Sequence, residues 1–285
     1  MRTLLVRRLG AVAALIFGSL VASVVPATTA GSAPPAGGWA PAATATIHPG
    51  VMMFTDGAQC TANFIFTRGT DVYIGYAAHC AGTGAATETN GCDAGSLPLG
   101  TSVEIDGASQ PGTLVYSSWL AMQAVNETNT NACEYNDLAL VRIAAADVAK
   151  VNPSIPHWGG PVGLNTTGNP LGSNLYTYGN SSLRLGITQL SPKKGVSLGT
   201  GGGGWTHPAY TVTPGIPGDS GSALLDASGR ASGVLSTVAI APLPASNNFG
   251  DLSRELAYAQ SHGQSGVTLE NGTEAFNPNA LPLGV

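Results

Sequence analysis

The sequence predicts an all-β protein with one late helix. Three observations carry that prediction: a composition rich in glycine and proline, scarce charge, and a succession of short β-rich runs between turn signals. Of 285 residues, 39 are Gly and 19 are Pro. In a helix interior Gly costs about 1 and Pro about 3 kcal/mol relative to Ala, so long helices are disfavoured. Charged residues are 9 % of the chain, against about 25 % in an average soluble domain. The 43 % of hydrophobic residues supports a large core and excludes disorder, which needs low hydrophobicity with high net charge.

The elements follow in order. Residues 62–67 (Ala-Asn-Phe-Ile-Phe-Thr) and 71–77 (Asp-Val-Tyr-Ile-Gly-Tyr-Ala) are β-rich runs separated by Arg68-Gly69-Thr70, a hairpin signal. Residues 102–106, 112–116 and 138–143 continue in that style. Asn152-Pro153 through Gly159-Gly160-Pro161 interrupts the pattern and could join two halves. The second half repeats the rhythm at 174–178, 183–188, 210–213, 222–225 and 231–238. Only residues 251–260 read as a helix: Leu252, Leu256 and Ala259 share one face, and Gly263 is a stop signal. Gly201 to Gly204 reads as a flexible loop, since a phosphate cradle would need a following Lys or helix.

The N-terminus reads as an export signal. Arg2, Arg7 and Arg8 precede an uncharged apolar run from Leu9 to Val25, and small residues follow. Basic, apolar and small in that order marks residues 1–30 as a secretory signal peptide, and no later stretch is long enough to span a bilayer. Residues 31–46 read as a linker or short propeptide. Removing the three arginines leaves eight basic against sixteen acidic residues, a mature charge of about −8. Nucleic acid is thereby a poor partner, because phosphate neutralisation needs clustered Lys and Arg. Lys193-Lys194 is the one basic doublet and reads as a solvated loop. Cys60, Cys80, Cys92 and Cys133 form an even set, which in an exported chain predicts two disulfides, with three pairings open. No C-x-x-C or H-E-x-x-H pattern supports a metal, and no cofactor is expected.

Three short strings carry chemistry. Tyr76-Ala77-Ala78-His79-Cys80 ends a β run, Tyr135-Asn136-Asp137-Leu138-Ala139-Leu140 opens another, and Gly218-Asp219-Ser220-Gly221-Ser222 follows Pro217. They supply a base, an acid and a nucleophile. A serine hydroxyl attacks well only when an imidazole takes its proton, and a carboxylate fixes the tautomer of that imidazole. Glycines flanking Asp219-Ser220 let the backbone present two N–H groups to one point, as an oxyanion requires. The other histidines, His48, His157, His207 and His262, read as structural.

On these residues the chain resembles the chymotrypsin-type (trypsin-like) serine proteases, nearest in style to their secreted bacterial branch. The A-A-H-C motif matches residues 77–80, N-D-[IL]-[AT]-L matches 136–140, and G-D-S-G matches 218–221. The resemblance implies two six-stranded antiparallel Greek-key β-barrels with a C-terminal helix. It places a protease domain at 47–263, with halves at about 47–150 and 161–250, a helix at 251–262, and a tail at 264–285. It implies His79 as general base and acid, Asp137 as the orienting carboxylate, and Ser220 as the acyl-forming nucleophile. The oxyanion hole would be the N–H groups of Gly218 and Ser220, with the backbone of Ser236 lining the cleft. It also implies a Cys60–Cys80 bridge, leaving Cys92–Cys133. A secreted monomer acting on peptides or proteins, without cofactor, metal, nucleic acid or a membrane after signal cleavage, is expected.

The resemblance departs at several places. Ser222 and Ala223 replace the usual Gly-Pro, as serine does in glutamate-specific relatives, and Ile216 stands where a bridging cysteine is usual. Pro214 occupies the position whose Asp confers basic P1 preference, and Val238 that of a pocket-wall glycine. Small or medium apolar P1 side chains are therefore expected. A buried Asp219 needs a cation: an α-ammonium freed near Thr46-Ile47, Arg142 or Arg184. Two alternatives to a working protease are a silent protease-fold binding or surface protein, and a serine esterase. The α/β-hydrolase order of Ser before Asp before His is not met here.

Overall fold

The computed structural model describes residues 35, 37–85, 88–239 and 245–281, the side chains of Val238 and Ala239 excepted. They belong to the unit Gly31–Val285, and the expected signal peptide, residues 1–30, lies outside the described residues. Among those described, no helix is long and apolar enough to cross a membrane.

The first half contributes β1 (Met52–Thr55), β2 (Ala58–Thr61), β3 (Ile65–Arg68), β4 (Asp71–Ala77), β5 (Ser102–Ile105), β6 (Gly112–Ser117) and β7 (Leu138–Arg142). The second contributes β8 (Asn174–Tyr178), β9 (Pro192–Ser197), β10 (Thr206–Thr211), β11 (Ala223–Leu225), β12 (Ala231–Ala239) and β13 (Ser246–Asp251), and β14 (Thr268–Leu269) lies in the tail. The second half closes as an antiparallel six-stranded barrel in the order β10-β13-β12-β11-β8-β9. The first half forms one sheet, β14-β3-β4-β7-β6-β5-β1-β2. It has eight strands rather than six: the first half supplies seven, and tail strand β14 adds the eighth by pairing with β3 through Thr268↔Thr67 and Leu269↔Phe66.

Burial explains these strands. Isoleucine, phenylalanine and tyrosine of β3 and β4 (Ile65, Phe66, Tyr73, Ile74, Tyr76) are fully buried in a core shared by both halves. Leu175, Ala209, Leu224, Leu235 and Phe249 fill the second barrel. The halves are joined by residues 152–161, with Trp158 fully buried and donating its indole N–H to Thr177 O at 2.9 Å.

The helix expected at 251–262 is α3 (Leu252–Ser261), capped by Asp251, whose Oδ1 accepts the Arg254 amide at 2.8 Å. Two short helices precede it that the sequence reading omitted: α1 (Ser118–Val125), buried through Trp119 and Met122, and α2 (Thr130–Tyr135), capped by Asn129. Asn126 ends α1 in the left-handed conformation at φ 50°. Two other expectations change. Residues 183–188 are 3₁₀ turns, not a strand: Leu185 and Gly186 have φ of 52° and 81°. Lys193-Lys194 is not a solvated loop but part of β9, and Lys193 is 2 % exposed.

Both flanks of the proposed domain pack on it. Trp39 lies against the core, and Ala40 exchanges hydrogen bonds with Val151 and Asn152. The tail follows β14 across the linker, where Thr273 meets Asn152 and Ser154. Further along, Phe276 lies edge-on to Tyr176 at 5.1 Å. A cavity of about 530 Å³ lined by His48, His157, Tyr178 and Glu274 lies where tail and linker meet, and no residue of the three motifs lines it.

Candidate active site

His79 sits in a 3₁₀ turn, residues Ala78–Ala81, that ends β4. Cys80 ties that turn to β2 through the Cys60–Cys80 disulfide, and Cys92 is bonded to Cys133. Asp137 stands between α2 and β7, and its carbonyl accepts the Ala78 amide at 2.8 Å. These local frames bring the two side chains together. Asp137 Oδ2 lies 2.6 Å from His79 Nδ1, and Asp137 Oδ1 accepts the His79 main-chain N–H at 2.9 Å. The carboxylate is buried at 4 % side-chain exposure, whereas the imidazole is 25 % exposed. An open edge beside a sheltered carboxylate suits proton exchange with a substrate.

Ser236 completes the carboxylate's shell by donating its hydroxyl to Asp137 Oδ2 at 2.6 Å. The ladder between β12 and β13 is irregular between Leu235 and Thr237, so Ser236 stands at a bulge. The resemblance implied a backbone role for this residue; its side chain adds a contact across 99 positions of sequence. Burial pushes the His79 pKa down, but the charge of Asp137 and its hydrogen bond outweigh that effect, and the net pKa is raised above 6.5.

Ser220 is presented by a turn of the second half that docks on strands of the first. Its carbonyl accepts the Thr61 amide at 2.8 Å, and the Thr61 hydroxyl donates to Gly218 O at 2.7 Å. Gly218 and Gly221 have φ of +96° and +87°. A Cβ on Gly218 would lie 2.3 Å from Gln59 Oε1, and one on Gly221 2.6 Å from Thr61 O and 2.8 Å from Ala77 N. Only glycine permits both the conformation and the approach. The Asp219 and Gly221 amides are spent on Ile216 O and Leu235 O, whereas among the described residues the Gly218 and Ser220 amides make no hydrogen bond. Ser220 Oγ likewise makes none there. The turn lies against the ends of two first-half strands, through Gly221 beside Ala77 of β4 and through Ser220 on Thr61 of β2.

Asp219 is fully buried and faces two cations. Arg184 forks onto both carboxylate oxygens, and Lys193 Nζ donates to Oδ2 at 3.0 Å. Arg184, one of the partners expected for Asp219, is thus bound to it, and Lys193 joins it. Ile47 is fully buried, with its N–H on Lys150 O. Burial would raise the Asp219 carboxyl, yet the Arg184 hydrogen bonds, both positive charges and the Ile216 amide hold its pKa below the ordinary aspartate value. Burial and the charge of Arg184 lower the Lys193 ammonium, with Asp219 opposing. Gly179 makes room: a Cβ there would lie 2.4 Å from Asp219 Oδ1 and 2.7 Å from Lys193 Nζ.

The remaining predicted residues are placed less tightly. Pro214 is exposed at the start of the segment leading to Ser220. Val238 lies on β12, and its side chain is outside the described residues. His207 is fully buried in β10, with Nε2 2.7 Å from Asp251 Oδ2. That agrees with a structural role.

No family model and no curated protein matches the sequence. Solved structures do. Protease A of Thermobifida fusca superposes with a TM-score of 0.51 at 19 % identity, over 79 % of this chain and 99 % of that one. The chain has the chymotrypsin fold. The Nocardiopsis protease (17 % identity, 79 % and 98 % covered, TM-score 0.47) and Cellulomonas bogoriensis chymotrypsin (20 %, 79 % and 98 %, 0.47) are also similar. In the chymotrypsin fold of this chain, His79 and Asp137 belong to the first half, and Ser220 and Ser236 to the second.

Proposed function

We propose that the chain is a secreted serine endopeptidase. The observation that carries the reading is the buried Asp137 carboxylate, held at His79 Nδ1 and supported by Ser236 and the His79 amide. In this reading His79 Nε2 takes the proton of Ser220 as Oγ attacks the scissile carbonyl. The Asp137 charge then stabilises the imidazolium. The uncommitted amides of Gly218 and Ser220 receive the developing oxyanion. His79 returns the proton to the leaving amine, and water admitted by the same base releases the acyl group from Ser220.

The proposed domain runs over 47–263, behind a signal peptide at 1–30 and a linker or propeptide at 31–46. The two disulfides fit an oxidising, extracellular setting. Asp219 already holds two cations, so the reading does not need a freed α-ammonium. Pro214 supplies no charge for a basic P1 side chain, and small or medium apolar P1 residues are proposed. The test is labelling of the secreted protein by a fluorophosphonate probe, with the adduct located by mass spectrometry. Labelling on Ser220, lost in Ser220→Ala with the melting temperature kept, supports the reading. A folded wild-type protein that takes no label overturns it.

A further inference from the structure

Glu255 is an acidic residue on the apolar face of α3, fully buried, with no cation paired to it among the described residues. Its Oε1 accepts the main-chain N–H of Asp137 at 2.9 Å, across 118 positions of sequence. A Cβ on Gly250 would lie 2.2 Å from that oxygen and 2.8 Å from Tyr135 O, so only glycine at 250 lets the carboxyl reach the Asp137 peptide. The Asp137 residue is then gripped at every polar group. Its carbonyl accepts from the Ala78 amide, its carboxylate binds His79 and Ser236, and its amide donates to Glu255. Without Glu255 the amide would be a buried donor with no acceptor in place.

We infer that Glu255 is a positioning residue for His79: by accepting the Asp137 amide it fixes where the Asp137 carboxylate meets the imidazole. The inference rests on the triad reading above and deepens it.

The surroundings of the Glu255 carboxyl shift it toward its uncharged form. Burial raises its pKa well above the ordinary glutamate value, and the negative charges of Asp137 and Asp251 add to the rise; only the Asp137 amide opposes it. The other titratable groups near it are hydroxyls: Tyr116 of β6, itself raised chiefly by burial, and Tyr258 one turn along α3. His207 is engaged with Asp251. Glu255 Oε2 and the Tyr116 hydroxyl are buried without hydrogen-bond partners among the described residues.

The test compares Glu255→Leu, which fills the space without an acceptor, with Glu255→Gln, which keeps a neutral acceptor. Two readouts are followed: the rate of fluorophosphonate labelling against pH, and the titration of the His79 imidazole by NMR. Leucine is expected to slow labelling by about 10- to 100-fold, the scale of a small misplacement of a catalytic group, and to lower the His79 midpoint. Glutamine is expected to rescue both. Should Glu255→Leu not fold, Gly250→Ala displaces the same carboxyl and is expected to lower the His79 midpoint likewise. A folded Leu or Ala variant with the wild-type rate and midpoint overturns the inference. So does a Gln variant whose midpoint falls as far as that of Leu. If wild-type protein takes no label, the protease reading fails, and the His79 titration still decides the role of Glu255.

Discussion

Replacing Asp219 by asparagine removes the charge that holds two buried cations. Arg184, Lys193 and Asp219 have side-chain exposures of 6 %, 2 % and 0 %, so solvent screening is slight. Removing one partner of a buried pair costs about 3–5 kcal/mol, and that range is the expected loss at neutral pH. The two cations respond differently. Arg184 cannot shed its proton at accessible pH, whereas Lys193 can, at a cost of about 1.4 kcal/mol per unit between the pH and its midpoint. The Lys193 midpoint is already lowered in the wild-type protein and falls further in the variant. Between the folded midpoint and the ordinary lysine value the unfolded chain binds more protons, so the variant's stability rises with pH there. At the acid end the sign is opposite. The lowered Asp219 pKa gives the wild-type protein stability that is complete above about pH 4 and lost as pH falls through the folded value. The gap between the two proteins therefore narrows at both ends.

Urea unfolding from pH 3 to pH 10 measures that gap. Arg184→Met is the control, because it leaves Lys193 and the Ile216 amide on the carboxylate. It should cost about 1.5–3 kcal/mol, the worth of hydrogen bonds to a charged group, and less than Asp219→Asn. A loss under about 1 kcal/mol for Asp219→Asn, or a larger loss for Arg184→Met, would show that the ion cluster does not support the turn before Ser220.

Four further outcomes are expected. Labelling of Ser220 should rise with pH on a limb whose midpoint lies above 6.5, because His79 must be neutral to accept the proton and its pKa is raised; a midpoint at or below 6.5 contradicts the Asp137 contact. Ser236→Ala removes a 2.6 Å hydrogen bond to Asp137 and should slow labelling by about 10-fold or more, since such bonds to charged groups are worth about 1.5–3 kcal/mol. Replacing Cys60 and Cys80 together by serine opens a loop of sequence separation 20 and should cost about 3 kcal/mol in urea unfolding. Phe276→Ala, which strips the tail's ring from Tyr176, should cost about 2 kcal/mol, below the 3–5 of a fully buried phenylalanine; an unchanged midpoint would mean that the tail merely lies on the surface.

What was legible in the sequence was local. The strings around His79, Asp137 and Ser220 each keep a strand end or a tight turn within five residues, so motif and structure coincide. The pattern of 183–188 misled for a local reason: apolar residues alternate there, but Leu185, 88 % exposed, turns left-handed and the segment serves to deliver Arg184. Lys193 looked solvated because a doublet of lysines carries no mark of the aspartate it meets 26 positions later. Ser236 and Glu255 act across 99 and 118 positions, beyond any sequence period. Glu255 did leave a trace: it interrupts the apolar stripe formed by Leu252, Leu256 and Ala259, where a surface helix has no use for a carboxylate.

The candidate triad crosses the boundary between the halves, and the boundary is pinned in both directions. First-half residues hold the second-half turn at Ser220: Thr61 and Gln59 bind Gly218 O, and Thr61 binds Ser220 O. Ser236 of the second half binds the Asp137 carboxylate, and Glu255 of α3 accepts its amide. These bonds run from 2.6 to 3.0 Å, and a hydrogen bond weakens steeply beyond about 3.5 Å. A separation of about 1 Å between the halves along these bonds would stretch them to about 3.6–4.0 Å and break both sets. The tail adds a third tie, through β14 on β3 at one end and Phe276 on Tyr176 at the other. Relative motion of the halves is therefore an inefficient way to regulate this site.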